Sequence, residues 1–163
     1  MAHSLRTHGV LLRRLIEHLD GAVEQLYVEA ELDYRPRYTP IVRALLNEGP
    51  ATLRALSTRT GVTHSAISQT VAQMAARGWV VLETGSDARE RIVSLTPFAL
   101  ERLPLLERCW AATDAASRSL DEEIGQPLAD VLLGALDALQ RKPLTERLTA
   151  ALSAAPSSSG TDR

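Results

Sequence analysis

The chain has 163 residues, a length that fits one domain with a core of its own. Hydrophobic residues make up 45% and charged residues 23%, and no apolar run approaches the roughly 20 residues of a membrane-spanning helix. The formal charge of −2 excludes a chain-wide polycation, and the single cysteine, Cys109, excludes an internal disulfide.

Charge is distributed unevenly. Residues 1–51 carry six basic and seven acidic groups, and residues 97–163 carry seven basic and ten acidic. Residues 52–96 hold five arginines against Glu83, Asp87 and Glu90, which makes this the one positive third of the chain. Phosphate contacts would draw on that field. The start, MAHSLRTHGV, lacks the charged-then-apolar layout of a secretion signal. With one cysteine and no anchor, the expected location is the cytoplasm.

Residues 5–30 predict a long amphipathic helix, with Leu11, Leu12, Leu15, Ile16, Leu19, Val23 and Leu26 at three- and four-residue steps. Pro36 disfavours the α conformation at Arg35 and ends it. Thr39 and Pro40 form a cap and first-turn pair for a helix carrying Ile41, Val42, Leu45 and Leu46. That helix stops near Gly49-Pro50, and Thr52 can cap the next.

The stretch from Leu53 to Thr96 organises the rest. A short helix with Leu56 inward runs to Gly61, which accepts the positive φ of a C-cap. Thr63 can cap the helix that follows, in which Ile67, Val71 and Met74 make one buried stripe. The opposite face holds His64, Ser65, Ser68, Gln69 and Gln73. A helix held by its back, with short hydrogen-bonding groups in front, suits the major groove of DNA. After Arg77-Gly78 come two β-prone runs, Trp79 to Leu82 and Ile92 to Leu95, joined by turn residues 85–88 and Arg89. These predict a two-stranded wing with an arginine at its tip, placed for a minor groove or for phosphates.

Beyond the wing, Thr96-Pro97 opens another long helix with Phe98, Leu103, Leu106 and Trp110, and Pro104 inside it predicts a kink. A break near residues 120–127 puts Asp121, Glu122 and Glu123 in a favourable first turn. Leu128, Val131, Leu132, Ala135, Leu136 and Leu139 then make a clean helical stripe that Pro143 ends. A short helix to about Leu152 can follow, and residues 153–163 are small, polar and expected to be disordered.

In the order of its elements the chain resembles the multiple-antibiotic-resistance regulator (MarR) family. GVTHSAISQTV, GWVV and IVSLT carry the likeness, and Asp87-x-Arg89 lies at the family's spacing before Leu95-Thr96. With the flanking helices it covers roughly residues 5–140. The fold class expected is mainly α with a small β-wing. A winged helix-turn-helix lobe at about 38–98 would sit between dimerisation helices at 5–30 and 97–140, all within one domain over 1–152.

The resemblance implies a sequence-specific double-stranded DNA-binding regulator. It would be a ligand-responsive repressor acting as a homodimer on a near-palindromic operator. Thr63, His64, Ser65, Ser68, Gln69 and Gln73 are the candidate DNA-binding residues of the helix, with Arg89 for the wing and Arg91 and Arg54 for phosphates. Family members often carry Arg or Lys where this chain has Gln69 and Gln73. The competing reading of each polar residue is solvated helix surface, and that of Arg89 is a surface arginine paired with Asp87 or Glu90, which is compatible with a wing role. Arg77 is either a phosphate contact or a charge that complements a helix C-terminus.

In the family a small aromatic or anionic ligand commonly binds between the dimer helices and the DNA lobe. Residues of suitable type in those segments are His18, Tyr27, Tyr38, Arg43 and Trp110, for which core packing or ordinary surface is the competing reading. Cys109 as an oxidation sensor is an alternative; the family's peroxide-sensing branch keeps its reactive cysteine in the first helix, where this chain has none. A winged module that docks proteins without DNA is another. Neither a phosphate loop, a metal-ligand spacing nor a nucleophile elbow appears, so no enzyme, cofactor or metal is expected.

Overall fold

The computed structural model describes residues 7–84 and 90–154. They form two compact units that divide between Thr113 and Asp114.

In the first unit, helix α1 (His8–Glu29) begins at Thr7, whose hydroxyl accepts the amide of Val10. Of its residues only Tyr27 is buried; Leu11, Leu12, Ile16 and Leu19 are exposed. Pro36 opens a 3-10 turn (Pro36–Tyr38) that leads directly into α2 (Thr39–Glu48). Thr39 is therefore already helical and does not cap α2. Its hydroxyl instead lies 3.4 Å from that of Tyr27. The turn preceding it has taken over the role expected of a cap.

Gly49, at φ 78°, ends α2 and sends the chain into strand β1 (Ala51–Thr52). Helix α3 (Leu53–Thr60) follows, capped by the Thr52 hydroxyl, which accepts from Ala55 at 3.1 Å. Gly61 adopts the left-handed conformation, φ 69°, between α3 and α4 (His64–Ala76). Ser57 and Thr60, polar on a helix that needs an apolar back, spend their hydroxyls here. Ser57 donates to the carbonyl of Val62 at 2.6 Å, while Thr60 donates to Leu56 and accepts from the Val62 amide.

Strands β2 (Val80–Thr84) and β3 (Arg91–Leu95) pair antiparallel, Val80 opposite Leu95 and Thr84 opposite Arg91. The sheet has three strands rather than the two expected. β1 joins the free side of β3, Ala51 opposite Val93 and Thr52 opposite Ile92. Two residues carry no periodicity to read. Their extended backbone follows from Gly49 behind them and the cap at Thr52 ahead.

Helix α5 (Pro97–Ile124) is entered through Thr96, whose hydroxyl donates to the Gly78 carbonyl and accepts the amide of Ala99. The helix continues through Pro104. Ala99, Leu106, Cys109 and Trp110 face inward. The core of this unit gathers Tyr27, Tyr34 and Tyr38 with Ile41, Leu56, Ile67, Met74, Trp79, Val93 and Leu106.

The second unit consists of the end of α5, α6 (Leu128–Arg141) and α7 (Leu144–Ala154). Asp121 to Glu123 belong to the last turns of α5 rather than to the first turn of α6. Asp121 nevertheless serves α6, accepting the Leu128 amide at 2.9 Å. Arg147 closes the α6–α7 corner by donating to the carbonyls of Ala138 and Lys142. α7 reaches two residues past the end expected for it, and the rest of the tail lies outside the described residues. No residue of α6 or α7 is buried; Val131, Leu133, Leu136, Leu139, Leu144 and Leu148 are exposed. No helix among the described residues is long and apolar enough to cross a membrane.

Candidate nucleic-acid interface

Helix α4 is fixed from behind. Ile67, Val71 and Met74 are at most 1% exposed and bury its back against the core. The Thr63 hydroxyl accepts the amide of Ala66, which satisfies one of the donors left over at a helix start.

Its front is what remains. Thr63, His64, Ser65, Ser68 and Gln69 are exposed, and so are Ala72 and Ala76. The two alanines escape a reading that searches for hydrogen-bonding groups, yet they matter physically. On a helical wheel they continue the line of Ser65 and Ser68, so the outward ridge is small from end to end. A ridge of Ser and Ala lets a helix approach a groove floor closely, and Gln69 is the long side chain beside it. The helix carries no Asp, Glu, Lys or Arg from His64 to Ala76.

Gln73 stands apart. It is half-buried, and its side-chain carbonyl accepts from Nη2 of Arg37, a residue 36 positions earlier in the 3-10 turn. Arg77 is the C-cap residue of α4, and its side chain is engaged within the chain. Its Nε lies 3.1 Å from both carboxylate oxygens of Asp33, and Nη1 donates to the Tyr38 hydroxyl at 3.2 Å. Tyr38 and Asp33 together raise its pKa, so its charge is held. Trp79 adds a third tie by donating from Nε1 to the Asp33 carbonyl at 2.8 Å. Residues 33–38 are thus fastened to α4 and to the segment that leaves it.

Arg54 is exposed on α3. With Thr52, Ala55, Thr58 and Arg59 it lines a shallow depression of about 360 Å³. Arg59 in turn pairs with Glu48 at 2.8 Å. Arg91 is exposed at the start of β3. Arg89 and Asp87 lie outside the described residues.

The residues singled out for a ligand separate into three groups. His18 is exposed on α1. Tyr27 and Tyr38 are 1% and 0% exposed, packed edge-on with Tyr34 between them at 4.8 and 5.4 Å. Arg43 and Trp110 come together, the guanidinium 4.9 Å from the ring centroid, a cation–π distance. The Tyr34 hydroxyl and the Trp110 indole N–H are buried and make no well-formed hydrogen bond among the described residues, Thr39 and Tyr27 being their loose polar neighbours. Burial raises the pKa of Tyr27 and of Tyr34, while Thr39 pulls each partly back. Tyr34 carried no signal beyond being an aromatic in a predicted loop.

Cys109 is buried, and burial pushes its thiol above the ordinary value, partly offset by Arg108. It lines a groove of about 350 Å³ with Leu26, Glu29, Ala30, Leu105, Arg108 and Ala112. No cluster of metal-ligating side chains occurs among the described residues.

Residues 32–90 match the model of the MarR family. No curated protein matches the chain by sequence. Among solved structures, the fold is similar to the transcriptional regulator MOSR of M. tuberculosis in complex with DNA (TM-score 0.67, 18% identity, 83% of this chain and 96% of that one). It is also similar to the transcriptional repressor CouR bound to a DNA duplex (TM-score 0.63, 18% identity, 86% and 96%). A third is the PcaV transcriptional regulator from Streptomyces coelicolor with its natural ligand (TM-score 0.59, 22% identity, 86% and 95%). At these identities the structures speak for the fold, and the sequence match falls on the lobe that contains α4. Residues 32–90 thus carry the sequence pattern of the MarR family, on a winged-helix fold like those of the solved regulators.

Proposed function

We propose that the protein is a double-stranded DNA-binding transcriptional regulator that acts as a homodimer, represses by occluding a promoter and is released by a small ligand. The observation that carries the reading is the outward face of α4: small, polar, uncharged and exposed along its length, on a helix whose back is sealed. Ser65 and Thr63, at the helix start, are suited to a phosphate. His64, Ser68 and Gln69 face the base edges, and Gln69 can pair with adenine through N6 and N7. Arg54 and Arg91 supply phosphate contacts, and Arg89 is assigned to the wing. That MOSR and CouR, of similar fold, have been seen with DNA supports this reading.

The dimer is proposed because each unit, taken by itself, exposes apolar side chains among the described residues, on α1 in the first and on α6 and α7 in the second. Symmetric pairs are the commonest way to cover such faces. Two α4 helices would then address half-sites about one helical turn, roughly 10 bp, apart.

The ligand is assigned to the neighbourhood of Arg43 and Trp110. There two buried polar atoms, the Tyr34 hydroxyl and the Trp110 N–H, have only Thr39 and Tyr27 as loose polar neighbours and lie close to a cation. An aromatic acid would answer both features, and PcaV with its natural ligand is a structural parallel. The ligand must bind the released arrangement better than the DNA-bound one, since equal affinity shifts nothing.

The test is a mobility shift of the region upstream of the protein's own gene, at two salt concentrations, beside Arg89→Ala. Salt-sensitive binding that weakens in Arg89→Ala is expected. Binding undiminished in Arg89→Ala removes the wing assignment. Absence of binding to any duplex at low salt favours a winged module that docks proteins.

A further inference from the structure

Arg37 follows Pro36 in the turn before α2, exposed, with Nη2 donating to the side-chain oxygen of Gln73 on the flank of α4. Arginine has no acceptor, so the contact itself decides which end of the amide meets it. The Gln73 oxygen already accepts from the turn, so a bidentate adenine pair through oxygen and NH2 would have to share it with Arg37. Gln73 is also half-buried, whereas Gln69, one helical turn earlier, is exposed.

The guanidinium has five N–H donors and gives Gln73 one of them. Asp20 of α1 is near enough for the two charges to act on each other. The backbone beneath Arg37 is anchored, because Tyr38 beside it is buried and bonded to Arg77, and Arg77 grips Asp33. A cation on a fixed turn, leaning on the flank of a groove-reading helix, has the setting of a phosphate contact.

Resting on the reading of α4 as a DNA-reading helix, we propose that Arg37 contacts a backbone phosphate and that Gln73 is the residue positioning it, not a reader of adenine. The chain thereby places beside α4 the positive charge that α4 itself lacks. Base selection is left to the exposed front, with Gln69 as its long side chain.

The experiment begins by selecting duplexes from a random pool with the full-length wild-type protein. Affinity for the winning duplex is then measured across salt for Arg37→Ala, Gln73→Ala, the double variant and Arg37→Lys. Thermal melts verify that each variant is folded. Arg37→Ala is expected to weaken binding about tenfold, the order of one charge-assisted hydrogen bond. It should also flatten the plot of log affinity against log salt by about 0.9 for each phosphate no longer neutralised. Gln73→Ala is expected to weaken binding less, and the double variant no more than Arg37→Ala alone. Arg37→Lys restores the slope. Repeating the selection with Gln73→Ala recovers the wild-type sequence, whereas Gln69→Ala recovers a relaxed one.

An unchanged affinity and salt slope in Arg37→Ala overturns the proposal while wild-type binding leaves the DNA reading intact. A changed base preference in Gln73→Ala does the same. If the wild-type protein enriches no duplex at low salt, both fall together.

Discussion

The indole N–H of Trp79 donates to the main-chain carbonyl of Asp33 at 2.8 Å, joining the residue that follows the α4 turn to the segment between α1 and α2. The ring is 1% exposed and packs edge-on against Tyr34 at 4.8 Å and Phe98 at 5.5 Å. Trp79 is therefore the point where three parts of the lobe meet. Trp79→Phe would leave a carbonyl unpaired and a small void, costing about 1–2 kcal/mol. Trp79→Ala would cost about 3–5 kcal/mol, the range for removing a large buried aromatic. Urea melts of the two variants measure both. A Trp79→Phe variant as stable as wild type would remove the hydrogen bond from the account.

The exposed leucines make a second prediction. Ile16 on α1 and Leu136 on α6 are 54% and 57% exposed among the described residues, so a charge there leaves the core of each unit untouched. Ile16→Glu and Leu136→Glu are expected to halve the mass seen by light scattering while leaving the far-ultraviolet dichroism of the lobe in place. Duplex affinity should fall with the mass, because one lobe then binds where two did. Variants that keep the wild-type mass would show that these faces are not the seam between copies.

The tyrosines set an alkaline limit. Burial raises the pKa of Tyr27 and of Tyr34 above the ordinary value of 10.0. A group that holds its proton more tightly folded than unfolded contributes stability fully below the unfolded pKa and loses it above. The folded state should thus be insensitive to these two groups below about pH 10 and destabilised progressively above it. Phenolate absorbance followed through an alkaline titration should show both ionising only with unfolding. Phenolates of Tyr27 and Tyr34 appearing in a protein with native dichroism would contradict this.

Cys109 yields a prediction about reactivity. A thiolate is the nucleophile, and a thiol whose pKa is pushed up by burial is a poor source of it. Native protein at neutral pH should be alkylated far more slowly than protein in denaturant. Labelling at equal rates in both states would restore an oxidation-sensing role for this residue.

What was legible in the sequence was local. Gly61 and Thr63 announce the corner between α3 and α4, because a positive φ and a capping hydroxyl are properties of single residues. Ile67, Val71 and Met74 announce which face is buried, because helical spacing is enough to align them. β1 was hidden by its length of two residues. Thr39 misled by carrying cap chemistry where the chain had another use for it, and Asp121 by standing at the end of α5 while still accepting the first amide of α6. Arg37 and Gln73 were beyond reach for a different reason. Their contact spans 36 residues, and only the folding of the 3-10 turn against α4 brings them together. Arg77 was ambiguous in sequence for the same reason, its partner Asp33 being 44 residues away.

Whether α4 enters DNA is tested most directly by a charge on its outward ridge. Ser68 is exposed and contributes nothing to the core, so Ser68→Glu should fold as wild type and melt within about a degree or two of it. Set against phosphates, the added carboxylate is repelled, and affinity for the selected duplex is expected to drop by at least about a hundredfold. A Ser68→Glu protein that binds that duplex as tightly as the wild type would contradict the account at its centre.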